Sequence, residues 1–223
     1  MIQVVKLTLL NHLFYYTEVT GGGASATITG GFLGDLALTY AFASVFRSRE
    51  GAYEHRLEPG YPEIRDFGFY CSVGRPLAAV NRTETFIQNT LFTDGYADTD
   101  SIRKSGQTPY KNFRQVQGLA IGNEFLAVFM SKDKMTLPPI IRVGRQRETM
   151  VKVEPLSKPL SKNDGFWLNA FSLRTVFQNL DPAVQMLSAN PEIRLVNVIE
   201  PYFLIQNLSL EQVQTVFQGH FSA

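Results

Sequence analysis

The chain has 223 residues, of which 44% are hydrophobic and 18% charged, with a formal net charge of +1. This is enough for one large domain, or one domain with an appendage, and for a sizeable core. Its single cysteine, Cys71, excludes an intramolecular disulfide and suits a reducing cytoplasm. No stretch reaches the roughly 18 apolar residues that span a bilayer, and residues 1–6 lack a basic start or small-residue cleavage site. A cytoplasmic protein without membrane contact is expected.

Residues 4–10 alternate. Val5, Leu7 and Leu9 face a core with Lys6 and Thr8 opposite, which predicts a first strand running on through Leu13, Phe14, Tyr15 and Tyr16. Residues 21–27, rich in glycine and small side chains, predict a loop. Residues 32–46 read as a helix apolar nearly all round, and so mostly buried. A charged loop over 47–62 precedes a strand at 67–71, where Cys71 reads as a packed thiol. A strand at 85–92 leads to Asp94-Gly95, a tight-hairpin signal.

Residues 96–113 are polar and turn-rich, and predict an exposed excursion, mobile alone and ordered on assembly. Leu126, Ala127, Val128, Phe129 and Met130 are apolar on both faces, which marks a central strand. Shorter strands follow at 140–145 and 149–153, then a loop at 158–164. Phe171, Leu173, Thr175 and Phe177 alternate like another strand. Asp181-Pro182 opens a short helix. Residues 193–205 are strand-like with a break at Pro201. Ser209 and Gln212 form a capping box with Leu208 and Val213 as its hydrophobic staple, so 210–217 should be helical. This order predicts an α+β fold with a mainly antiparallel sheet.

The charge is uneven. Residues 101–162 hold 12 Lys+Arg against 4 Asp+Glu; residues 1–100 hold 7 against 11, and residues 163–223 hold 2 against 5. A basic quarter in a near-neutral chain suits a phosphate backbone, whose counterions are released on binding; it would equally serve as a solvated face. Two sub-clusters stand out. Arg103, Lys104, Lys111 and Arg114 are interleaved with Tyr110 and Phe113, the mixture of cations and stacking rings that single-stranded RNA binding uses. Arg142, Arg145 and Arg147 surround Gly144 at a strand end, where guanidinium forks suit phosphate. A basic edge strand that blocks aggregation has the same composition.

Motifs of other chemistries are missing: there is no Walker loop, no Gly-x-Ser-x-Gly elbow, and no Cys or His pair at metal-ligand spacing. No metal and no cofactor are expected. His12, near Tyr15 and Tyr16, has the chemistry of a base in metal-free RNA cleavage; a lone strand-end histidine serves as often in a structural hydrogen bond. The nearest helper in sequence, Lys6, would stand some 20 Å away on an extended strand at about 3.3 Å per residue.

Three places carry a family resemblance. They are residues 7–16 (LTLLNHLFYY) with 35–42 (DLALTYAF), residues 82–91 from Arg82 to the run QNTL, and residues 137–144 followed by Arg145. In their order and spacing the chain resembles the type I-D CRISPR-associated "Cas five" (Csc-one) family over roughly residues 4–155. The resemblance implies a ferredoxin-like, RRM-type antiparallel core with a hairpin thumb and a β-rich C-terminal part. It implies a single RRM-like domain, 1–223, with the thumb near 93–113 and a C-terminal extension from about 164.

It further implies a non-catalytic subunit of a surveillance complex in antiviral defence, holding the 5′ end of the guide CRISPR RNA. Its partners would be the backbone and large subunits, with target DNA engaged indirectly through guide pairing. The expected RNA-binding residues are Arg82, Arg103, Lys104, Tyr110, Lys111, Arg114, Arg142, Arg145 and Arg147. The alternative is a metal-independent endoribonuclease that processes precursor CRISPR RNA, as some relatives in the superfamily do.

Overall fold

The computed structural model describes residues 1–14, 18–20, 26–46, 61–89, 92–93, 96–97, 113–144, 149–157, 165–178, 185, 193–199 and 202–221. Along the chain these form β1 (Ile2–Leu9), β2 (Glu18–Thr20), β3 (Ala26–Ile28), α1 (Asp35–Phe46), a 3-10 segment (Pro62–Phe67), β4 (Phe69–Cys71), β5 (Arg75–Pro76), β6 (Phe86–Asn89), β7 (Phe92–Thr93) and β8 (Tyr96–Ala97). Then follow β9 (Phe113–Gln117), β10 (Glu124–Ser131), β11 (Ile140–Val143), β12 (Thr149–Pro155), β13 (Phe166–Asn169), a π-helix (Ser172–Val176), β14 (Arg194–Ile199), β15 (Tyr202–Leu208) and α2 (Leu210–Phe221).

The main sheet has the order β11-β12-β1-β10-β4, with β5 also paired to β10. Every pair in it is antiparallel. β1 and β4 therefore run parallel with β10 between them, and α1 supplies the crossover that a parallel relation requires. This is a split βαβ unit. Adding β12 on the other side of β1 completes the ferredoxin-like strand order. The second helix of that fold is replaced: between β10 and β12 the chain passes through residues 132–139 and adds β11 at the edge. The fold is thus α+β with an RRM-type antiparallel core.

The register assigns the two faces. Val5, Leu7 and Leu9 share one face with Phe125, Ala127, Phe129, Val151, Val153, Ile141 and Val143, all buried. α1 covers it, with Phe42 packed on Phe129 at 4.9 Å and Phe46 on Phe69 at 5.2 Å between ring centroids. The helix buries Leu36, Leu38, Thr39, Ala41, Phe42 and Ala43 and leaves only Ala37, Tyr40 and Ser44 to Phe46 part-exposed, as its all-round apolar sequence predicts.

On the opposite face Leu126, Val128 and Met130 are also fully buried, because the C-terminal segment lies over them. β13 contacts β10, Val73 bridges to Trp167, and Tyr70, opposite Met130, meets Phe177 at 4.9 Å and Phe217 at 5.2 Å. β10 is therefore central in both senses, which is why its run of apolar residues does not alternate. β13, β15 and β14 form a three-stranded sheet. α2 seals it with Val213, Val216, Phe217 and Phe221, one helical stripe. Its start is the expected capping box: Ser209 N–H donates to Gln212 Oε1 (2.8 Å) and Gln212 N–H to Ser209 Oγ (3.2 Å).

Several expectations are corrected. β1 ends at Leu9 rather than continuing to Tyr16, because Asn11 Oδ1 accepts the Met150 N–H (2.6 Å) and turns the chain out of the ladder. The alternating residues 171–177 are helical, not a strand: Ser172, Leu173, Val176 and Phe177 are the buried ones, a helical spacing. Arg65 closes this turn, donating to the carbonyls of Thr175 (3.1 Å) and Val176. β7 pairs with β8, Thr93 opposite Tyr96; the Asp94-Gly95 signal between them lies outside the described residues. Of the loop expected at 21–27, Ala26 and Thr27 are instead in β3, paired with β9; of the loop expected at 47–62, Tyr61 precedes the 3-10 segment and Pro62 opens it. Their remainders at 21–25 and 47–60, the loop at 158–164, the helix at 181–182 and 98–112 of the excursion lie outside the described residues.

Candidate nucleic-acid interface

β1 and β11 finish, and β10 and β12 begin, at the same end of the main sheet. The chain leaving β1 builds this end. Leu10 N–H donates to Met150 O (2.9 Å), and Leu13 exchanges two backbone hydrogen bonds with Leu119 (3.0 and 2.9 Å). Through Leu119 the main sheet meets a second sheet of order β2-β3-β9-β6, in which β3 runs parallel to β9 and β6 antiparallel. Thr83 fastens the junction. Its N–H donates to Gly118 O (3.0 Å), its Oγ1 accepts from Gly118 N–H (3.0 Å), and its carbonyl accepts from Gln117 Nε2 (3.1 Å).

Two glycines allow this close approach. Gly144 ends β11 at φ +89°, a backbone that side chains rarely adopt, and a Cβ there would lie 3.1 Å from Leu13 Cδ1. Gly118 lies beneath the ring of Phe14, where a Cβ would come within 2.7 Å of two ring carbons. Phe14 in turn meets Phe86 edge-on, with ring centroids 5.9 Å apart and planes at 75°. Phe86 remains 48% exposed.

The expected basic residues fall around this junction to different degrees. Arg142 is exposed on β11, opposite Met150 and two residues before Gly144. Arg82 is half-buried and bridges to Leu119; its guanidinium donates to Thr29 O (2.6 Å), so part of its role is to hold β3 to the junction. Arg114 lies on β9 opposite Gln88, two residue pairs beyond Phe86 opposite Val116. Arg145 and Arg147 lie outside the described residues, but the segment that carries them has both ends here, since Val143 pairs with Thr149. Arg103, Lys104, Tyr110 and Lys111 also lie outside the described residues. Sequence reading passed over the Phe14–Phe86 pair, because phenylalanine is ordinarily core and only exposure singles it out.

The uncovered half of the sheet face has a different character. Lys6 sits between Glu124 (3.0 Å) and Glu154 (3.5 Å), and Glu154 also meets Lys152 (2.8 Å), a ladder of alternating charge across three strands. The hydrogen bond to Glu124 raises the Lys6 ammonium above its ordinary range, and Lys152 holds the Glu154 carboxyl below its own. Lys6 is thereby tied to carboxylates. His12 is exposed, and its Nδ1 accepts the Ile121 N–H at 3.3 Å. Among the described residues no group of three or more His, Cys, Asp or Glu could hold a metal ion, and no helix is long and apolar enough to cross a membrane.

The protein is thus an RRM-type antiparallel core joined at one sheet end to a second small sheet, where Arg82, Arg142 and an exposed aromatic ring lie. The pattern of the type I-D CRISPR-associated protein Cas5/Csc1 family matches residues 1–219, and the chain belongs to that family. It is a CRISPR effector complex subunit. A chain in the cryo-EM structure of the Type III-B Cmr-beta bound to cognate target RNA and AMPPnP aligns over 93% of this chain and 84% of its own length, at 10% identity and a TM-score of 0.44. No curated protein matches.

Proposed function

We propose that this chain is the non-catalytic subunit of a type I-D surveillance complex that grips the 5′ end of the guide RNA. It would join the backbone subunits to the large subunit in the cytoplasm, with target DNA engaged only through guide pairing. The observation that carries this reading is family membership across residues 1–219. The gathering of Arg82, Arg114, Arg142 and the ends of the 145–148 segment at one sheet end supports it, since phosphates would be held there by guanidinium groups. The expected thumb, near 93–113, would extend from β9 of the same junction.

The test is salt dependence. Replacing Arg142, Arg145 and Arg147 together with Ala should weaken RNA binding and flatten the plot of log affinity against log salt by about 0.7 per lost phosphate contact. An unchanged slope would remove these residues from the interface. The non-catalytic part is supported by Lys6, the sequence's nearest helper to His12, being occupied by Glu124 and Glu154. A lone base contributes only about 100- to 10,000-fold. Purified protein should leave repeat RNA intact over hours in EDTA; cleavage abolished by His12→Ala would establish the endoribonuclease instead.

A further inference from the structure

We propose that the ring of Phe86, set against Phe14, is a stacking platform for one base of a bound single-stranded RNA. The inference rests on the guide-binding reading and adds an apolar subsite to its phosphate contacts.

Three observations carry it. First, Phe86 is the most exposed aromatic among the described residues' large hydrophobic side chains at 48%, yet it opens a paired strand and faces Val116, which is buried. Taking a phenylalanine ring out of water is favourable, so a ring left half in water at the edge strand of its sheet invites an occupant. Second, the ring is braced. Phe14 meets it at 75°, and Phe14 is itself seated on Gly118 at a distance that no side chain would permit. Two rings at this angle form a corner: a base stacked on one presents its edge to the other, the arrangement that aromatic quadrupoles favour. Third, the surroundings suit an anionic strand. Arg114 is two residue pairs along the ladder from Phe86, about 8 Å between backbones by strand geometry. Arg142 stands two residues before Gly144, which packs on Leu13 beside Phe14, and Arg82 is bridged to Leu119 next to Gly118. Glu84 is the acidic residue nearest in sequence, and it is exposed. An exposed apolar corner with Arg82 and Arg142 on the elements that build it fits a nucleobase on a phosphate chain better than an apolar protein side chain, which would have to bury those charges.

The experiment uses single-stranded RNA of repeat sequence with 2-aminopurine placed at successive positions of its 5′ segment. It is titrated into the full-length chain, wild type, Phe86→Ala and Phe86→Tyr. One position should be quenched by wild type and by Phe86→Tyr, which keeps the ring, and not by Phe86→Ala. The alanine variant should bind about 5- to 100-fold more weakly with an unchanged salt slope, because stacking releases no counterions. Equal affinity and equal quenching for Phe86→Ala overturns the platform while leaving guide binding in place. So does normal RNA binding by Phe86→Ala with failed incorporation into the effector complex, which makes the ring a protein contact. Absence of RNA binding by the wild-type chain brings down the guide-binding reading and this inference with it.

Discussion

Asp35 is fully buried, and four donors surround it: Tyr70 Oη (2.6 Å), Asn169 Nδ2 (3.0 Å), Ser172 Oγ and the Leu36 N–H. It opens α1, where a negative charge meets the positive end of the helix dipole, and its side chain ties α1 to β4, β13 and the π-helix together. Burial raises its carboxyl pKa, and the four hydrogen bonds oppose that shift without cancelling it. An unfolded aspartate loses its proton near pH 3.9. Between that point and the higher folded value the native state binds more protons, so this group's contribution is full below about pH 4 and is lost as the pH rises through the folded pKa. Asp35→Asn keeps the shape and cannot titrate. Chemical denaturation of both proteins from pH 4 to 8 should show the wild type losing stability relative to Asp35→Asn as pH rises; a constant difference would mean that the carboxyl titrates alike in both states. Asp35→Ala leaves three buried side-chain donors without their acceptor and should cost ~3–5 kcal/mol.

At the scale of elements, what was legible in the sequence depended on whether local chemistry had one solution. The start of α2 did. Ser209, Gln212, Leu208 and Val213 specify a helix N-terminus with no help from the rest of the chain, and the reciprocal hydrogen bonds are formed. Ser209→Ala should therefore lower stability by about 1 kcal/mol in denaturant unfolding. A change near zero would mean that packing of Phe217 and Phe221 alone fixes the helix. β10 was equally clear, because a long apolar run bounded by Glu124 suits a strand covered on both faces. Residues 171–177 were not. Phe171, Leu173 and Phe177 satisfy a period of two and a helical turn alike, and the choice was made by partners far away in sequence, Asp35 at Ser172 and Arg65 at the last carbonyls. The candidate interface shows the same limit. A count of charge finds Arg142 and Arg114 in the basic quarter, but Arg82 joins them through a bridge to Leu119, and Phe14 and Phe86 meet across 72 positions of chain. Contacts of that kind leave no local trace.

For the whole molecule the question is whether the segment after about residue 164 is an appendage or part of the core. Family resemblance suggests an extension; the packing argues otherwise. Tyr70, Leu126, Val128 and Met130 are each fully buried, and the register puts all four on the sheet face that β13, the π-helix and α2 cover. Uncovering four such side chains would cost about 6–12 kcal/mol at 1.5–3 kcal/mol each, as much as the net stability of an ordinary domain. Asp35 would lose Asn169 and Ser172 in the same step, and Phe32 and Val73 would lose their packing on Trp167, Tyr202 and Leu204. A chain ended at residue 164 should therefore show no cooperative thermal transition and should aggregate through the exposed apolar face. The full-length chain should melt in one transition, with near-UV circular dichroism from Tyr70 and Trp167 lost together with the far-UV signal. A soluble 1–164 fragment that melts cooperatively would show that the split βαβ core stands alone, and that the C-terminal segment is an extension after all.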